Sequence, residues 1–141
     1  IDEIGYGKGF GFALEEFRKV LRGLDALRAK GMVVGLTAHS EIKRYDDPAS
    51  EPYDRYRIKL HQKSASVLRE WADIIGFASQ RVIVQAEDVG FNKKVKRGIS
   101  TGERLLHVQE MPAFEAKNRF GVEGPLALEW SALMSAIQET Y

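Results

Sequence analysis

The sequence predicts an α/β chain in which amphipathic helices alternate with strands and one β-hairpin is long. Three observations predict it. Apolar residues recur at helical spacing from 10 to 27, a continuous apolar run MVVGLTA fills 32–38, and two strand-like runs flank a basic tip at 91–102.

The first helix follows glycines at 5, 7, 9 and 11. Phe10, Ala13, Leu14, Phe17, Val20, Leu21, Leu24 and Leu27 keep the 3,4 spacing, with Glu15, Lys19, Arg22 and Arg28 on other faces. Gly31 stands where a left-handed C-cap belongs. MVVGLTA is too short for a helix, and an apolar run of that kind, buried on both faces, reads as a central parallel strand. Residues 40–58 carry two prolines, three tyrosines and dense charge, which reads as a long loop.

Leu60, Ser64, Val67, Leu68 and Trp71 mark a second helix. IIGFAS (74–79) and RVIVQAE (81–87) read as strands joined by a short turn or bulge. The tip FNKKVKRGISTG (91–102) leads into ERLLHVQE (103–110), which completes the hairpin. Met111-Pro112 ends the pairing, because proline has no N–H for a ladder. AFEAK resumes as a short strand, and LEWSALMSAIQ (128–138) closes the chain with a helical pattern.

Composition narrows the function classes. With 141 residues, 44% hydrophobic and 29% charged, the chain suits one soluble domain with a core, 1–141. A net charge of +1 predicts neither nucleic-acid nor membrane binding from bulk charge, so any basic surface must be local. The absence of cysteine excludes disulfides and thiolate metal sites and fits a reducing cytoplasm. No apolar run approaches the ~20 residues of a membrane span, and no signal peptide is visible. The start, IDEIGYGKG, has no initiator Met and runs at once into a helix, which reads as a piece of something larger.

Five stretches invite a chemical reading. GYGKGFG is glycine-rich, but Lys8 is followed by Gly9 and no buried strand precedes it, so it is not a G-x-x-x-x-G-K-[ST] phosphate loop. His39 ends the apolar strand in TAHS, where ligands of open α/β sheets bind; a histidine capping a strand end fits the position equally. The 40–58 segment sets Lys43, Arg44, Arg55, Arg57 and Lys59 among Tyr45, Tyr53 and Tyr56, the mixture that holds single strands by stacking and neutralisation. Five acids, Glu41, Asp46, Asp47, Glu51 and Asp54, cancel those charges, so the residues alone favour a solvated loop over that reading. Lys93, Lys94, Lys96 and Arg97 form a cationic hairpin tip suited to phosphate backbone, or simply to edge protection. In EAKNRFG, an extended backbone projects Lys117 and Arg119 to one side. Two such cations suit the charge on a transferring phosphoryl group, or belong to an ordinary solvated strand end.

KNRFG, residues 117–121, resembles the motif of that spelling in RadA-type members of the RecA-like recombinase ATPases. With EIGYGKGFGFALEEF, LTAHSEIKR, EPYDRYRIKLH, EWADIIGFA and EDVGFNKK, the whole chain is similar to phage and prophage AAA-type nucleotide-binding proteins of that superfamily. The resemblance implies part of a RecA-like sheet, specifically its C-terminal half, since no phosphate loop is present. It implies ATP and Mg2+ as cofactors, with most ligands outside this chain, and a role in DNA recombination or single-strand annealing. His39 then matches the polar sensor beside the γ-phosphate, and Lys117 and Arg119 the cations offered in trans to a neighbour's nucleotide. Lys43, Arg44, Tyr45, Arg55, Tyr56 and Arg57 match the mobile loop facing single-stranded DNA, with Lys93, Lys94, Lys96 and Arg97 as further DNA contacts. A homo-oligomer in the cytoplasm of a bacterial host follows, with no membrane partner and no metal ligand in this segment. Taken alone, the segment should turn over no ATP.

Two other classes compete. Glu115-Ala-Lys117 supplies the E-x-K of a PD-(D/E)xK nuclease, with Asp88 as the further acid. A non-catalytic module binding single-stranded nucleic acid through the basic hairpin and the tyrosine-rich segment is the other.

Overall fold

The computed structural model describes residues 8–88 and 94–140, with backbone alone at 8, 84–88 and 94–98. It divides into two compact units, one through Ala72 and one from Asp73 onward. The class is mixed α/β, and every strand pair among the described residues is antiparallel.

In the first unit, α1 (Lys8–Arg28) packs on α2 (Gln62–Trp71). Leu14, Phe17, Leu21 and Leu24 form the inward stripe at i, i+3, i+7, i+10, and Leu21 is buried. Phe10, Val20 and Leu27, on the same apolar pattern, stay exposed. Ala65 is the buried hydrophobe contributed by α2. The helix ends are tied by Trp71, whose indole N–H donates to Asp25 Oδ1 at 2.8 Å while Arg28 lies 5.3 Å over the ring. Gly31 caps α1 as expected. Its φ is 82°, its N–H reaches the carbonyl of Arg28, and the N–H of Met32 reaches that of Leu27, the two bonds of a Schellman ending.

Two readings are corrected here. The run 32–38 is not a buried strand: Met32, Val33 and Leu36 are exposed, and among the described residues no strand pairs with it. An apolar strand is buried only by neighbours on its edges and layers on its faces, and no parallel neighbour is among the described residues. Residues 40–58 are not one loop. They form a hairpin of β1 (Ser40–Tyr45) and β2 (Tyr53–Ile58), in register from Ser40↔Ile58 to Tyr45↔Tyr53. Alternating β-branched and aromatic residues among the charges suit cross-strand pairs, and the Pro48–Pro52 stretch is confined to the turn.

The second unit opens with β3 (Ile74–Ile75) and the long hairpin of β4 (Phe77–Asp88) and β5 (Lys94–His107). The expected bulge lies between Gln80 and Val82. Basic residues assigned to the tip from 94 onward are instead part of β5, which begins earlier than the sequence suggested. β7 (Leu126–Ala127) adds a third strand beside Leu105 and Leu106. Of AFEAK, only Lys117 is in a strand: β6 (Lys117–Asn118) pairs with β3, while Phe114 bridges back to Met111. The core of this unit is Leu105, Val108, Ala116 and Val122, and α3 (Trp130–Thr140) follows.

Candidate functional site

The KNRFG segment is held by one long-range strand pair and one local turn. β6 pairs Lys117 with Ile75 and Asn118 with Ile74. Beyond it, Arg119 N–H donates to the carbonyl of Asp73 at 3.1 Å, continuing the ladder by one residue. Asn118 then folds the chain back. Its Oδ1 accepts from Phe120 N–H at 2.9 Å and its Nδ2 donates to the Val122 carbonyl at 2.6 Å, the side-chain-to-backbone turn that asparagine favours. Gly121 supplies the left-handed residue, with φ of 72°. Ala116 before the turn and Val122 after it are both buried.

Lys117 and Arg119 therefore leave from a backbone held on both sides. Only Lys117 and Asn118 are paired strand residues; Arg119 is placed by its ladder bond to Asp73 and by the turn that follows. Lys117 is half-buried. The Arg119 side chain is 52% exposed and its Nη1 lies 3.0 Å from Asp73 Oδ1. Asp73 was missed in the sequence. Its signal was the WADII stretch, where an acid directly precedes the strand that pairs with KN.

His39 lies in the first unit, exposed, at the foot of the β1–β2 hairpin. Its carbonyl accepts from Lys59 N–H at 2.8 Å, so its backbone extends that ladder. It follows an apolar run that pairs with no strand among the described residues.

The β1–β2 register sorts the tyrosine-rich segment into two faces. Lys43, Tyr45, Arg55 and Arg57 share one with Glu41 and Tyr53. Arg44 and Tyr56 share the other with Ile42. On the first face Arg55 is buried, its guanidinium 4.8 Å over the Tyr45 ring, and Arg57 Nε is 3.3 Å from Glu41 Oε1. Lys43 and Tyr45 are the exposed members. Of the basic tip, Lys93 lies outside the described residues, as do the side chains of Lys94, Lys96 and Arg97 and that of Asp88 in the nuclease reading.

A second cluster went unread in the sequence. His107 lies beside the stacked pair of Phe77 and Phe114, its ring centroid 6.1 and 4.7 Å from theirs, and its Nε2 is 2.9 Å from Ser79 Oγ. Burial lowers its pKa from the ordinary 6.5. The β4–β5 register sets Phe77 opposite His107 and Ser79 diagonal to it, and Phe114 comes from the segment after β5.

An AAA domain family model matches residues 1–120. The chain belongs to the AAA domain family. No curated protein and no solved structure gives a match. The matched range ends at Phe120, so it includes both cations of KNRFG. AAA membership makes this a nucleotide-binding, ATPase-like module, with ATP the nucleotide implied. Arg119 carries a half-exposed guanidinium beside the Asn118 turn, a group whose geometry matches phosphate oxygens in general. Among the described residues no cluster of three His, Asp or Glu is placed to hold a metal ion, and none of their helices is long and apolar enough to cross a membrane.

Proposed function

We propose that this AAA chain offers Lys117 and Arg119 in trans to ATP bound by a neighbouring copy in a RecA-like assembly. The observation that carries the reading is the fixed Asn118–Gly121 turn, which presents an exposed arginine on a rigid base. Bound ATP supplies a terminal phosphoryl group whose charge spreads over its oxygens during transfer. The chain's own part is to offer two positive side chains toward that charge from a fixed backbone. His39, whose backbone joins the β1–β2 hairpin, serves as a polar sensor beside a γ-phosphate, and that hairpin meets single-stranded DNA through Lys43 and Tyr45. Mg2+ accompanies the nucleotide, with its ligands supplied elsewhere in the assembly. Recombination or strand annealing in a phage setting is the process this machinery suits.

The test is ATP turnover by the assembled protein with Arg119→Ala. Turnover falls about a hundredfold or more, as for loss of one charge-stabilising donor, while nucleotide binding persists. Unchanged turnover would overturn the proposal.

A further inference from the structure

Asp73 touches Arg119 twice. Its main-chain carbonyl accepts the Arg119 N–H at 3.1 Å, and its carboxylate meets the guanidinium at 3.0 Å. The double contact follows from register, because Ile74↔Asn118 pairing leaves Asp73 and Arg119 as the next cross-strand neighbours. The two halves of the contact differ in kind. The main-chain bond fixes where the arginine starts; the carboxylate fixes where its far end rests.

The carboxylate half is exchangeable. The arginine side chain is 52% exposed and the aspartate 33%, so water screens their attraction. A polyphosphate offers several anionic oxygens to one guanidinium, in the two-pronged geometry arginine matches best. A phosphate arriving from outside thus replaces Asp73 at small cost.

We propose that Asp73 is the positioning residue for Arg119: it parks the guanidinium in one orientation and releases it to an incoming triphosphate. This rests on the reading of Arg119 as a phosphate-facing cation. Asp73 acts on the phosphate site through Arg119.

The experiment titrates inorganic tripolyphosphate into the 141-residue chain at low salt, following the Arg119 Nε–Hε signal by NMR. Asp73→Asn keeps the main-chain carbonyl and removes the charge. It binds tripolyphosphate about two- to fivefold tighter, the range an exposed ion pair commands, and its Arg119 signal shows a more mobile side chain before ligand is added. Asp73→Glu restores both readouts to the parent behaviour, which loss of a merely structural contact would not predict. Amide signals of Ala116 and Val122 check that the turn is intact. If Arg119→Ala binds tripolyphosphate as the parent does, the phosphate-facing reading falls and this inference with it. If Arg119→Ala weakens binding but Asp73→Asn changes neither affinity nor mobility, the inference alone is overturned.

Discussion

Asn118 donates its side-chain amide to the carbonyl of Val122 across 2.6 Å, closing the turn from which Arg119 emerges. The same side chain accepts from Phe120 N–H, so one residue satisfies two backbone groups next to a buried valine. Replacing it with alanine leaves a part-buried donor and acceptor without that partner. The expected loss is about 1 to 3 kcal/mol in the stability of the second unit, read by chemical denaturation. Gly121→Ala costs about 1 to 2 kcal/mol for a different reason, its positive φ. An added Cβ meets only Thr140 Cγ2 at 3.5 Å, an ordinary contact. A neutral result for both variants would show that the turn is not fixed by these residues.

The His107 cluster gives the second unit a pH dependence of known sign. Burial lowers the folded-state pKa below the ordinary 6.5, so below that value the unfolded chain binds the proton more readily. Stability is therefore full above about pH 6.5 and falls as pH drops from there toward the lowered folded value. His107→Gln removes this contribution. Denaturation at pH 7.5 and 5.5 checks it: the variant loses less stability between the two than the parent. An equal loss in both would contradict the assignment.

Lys43 and Arg55 face each other across β1 and β2 yet should behave as opposites. Arg55 is buried over Tyr45, so Arg55→Ala destabilises the hairpin by about 1 to 2 kcal/mol through lost packing and cation–π contact. Lys43 is exposed, so Lys43→Ala leaves stability unchanged and weakens single-stranded DNA binding. Its log–log salt slope shrinks by about 0.7, one phosphate's share. Binding by Lys43→Ala with the parent's affinity and slope would remove the hairpin from the DNA surface.

What the sequence revealed divides along the range of the forces involved. The helices were legible because a stripe such as Leu14, Phe17, Leu21 and Leu24 repeats within one element, and Gly31 announced its cap. The long hairpin and its bulge were legible from two alternating runs. The β1–β2 hairpin was not, because cross-strand pairs such as Ile42 with Tyr56 join residues 14 apart and look like a charged loop when read in order. MVVGLTA misled because apolar content reports what a strand needs, not whether neighbours are at hand. At the candidate site, KNRFG drew attention to the cations but suggested an extended backbone, not a turn, and Asp73, 46 residues before Arg119, appears only through the pairing of two two-residue strands.

The most direct measurement is ATP turnover by mixed assemblies. One subunit carries Arg119→Ala with its own nucleotide site intact; the other keeps Arg119 but has its nucleotide site disabled. Each is inactive by itself, and mixing them restores turnover if the arginine serves a neighbour's nucleotide. Mixtures as inactive as either variant alone would contradict that claim.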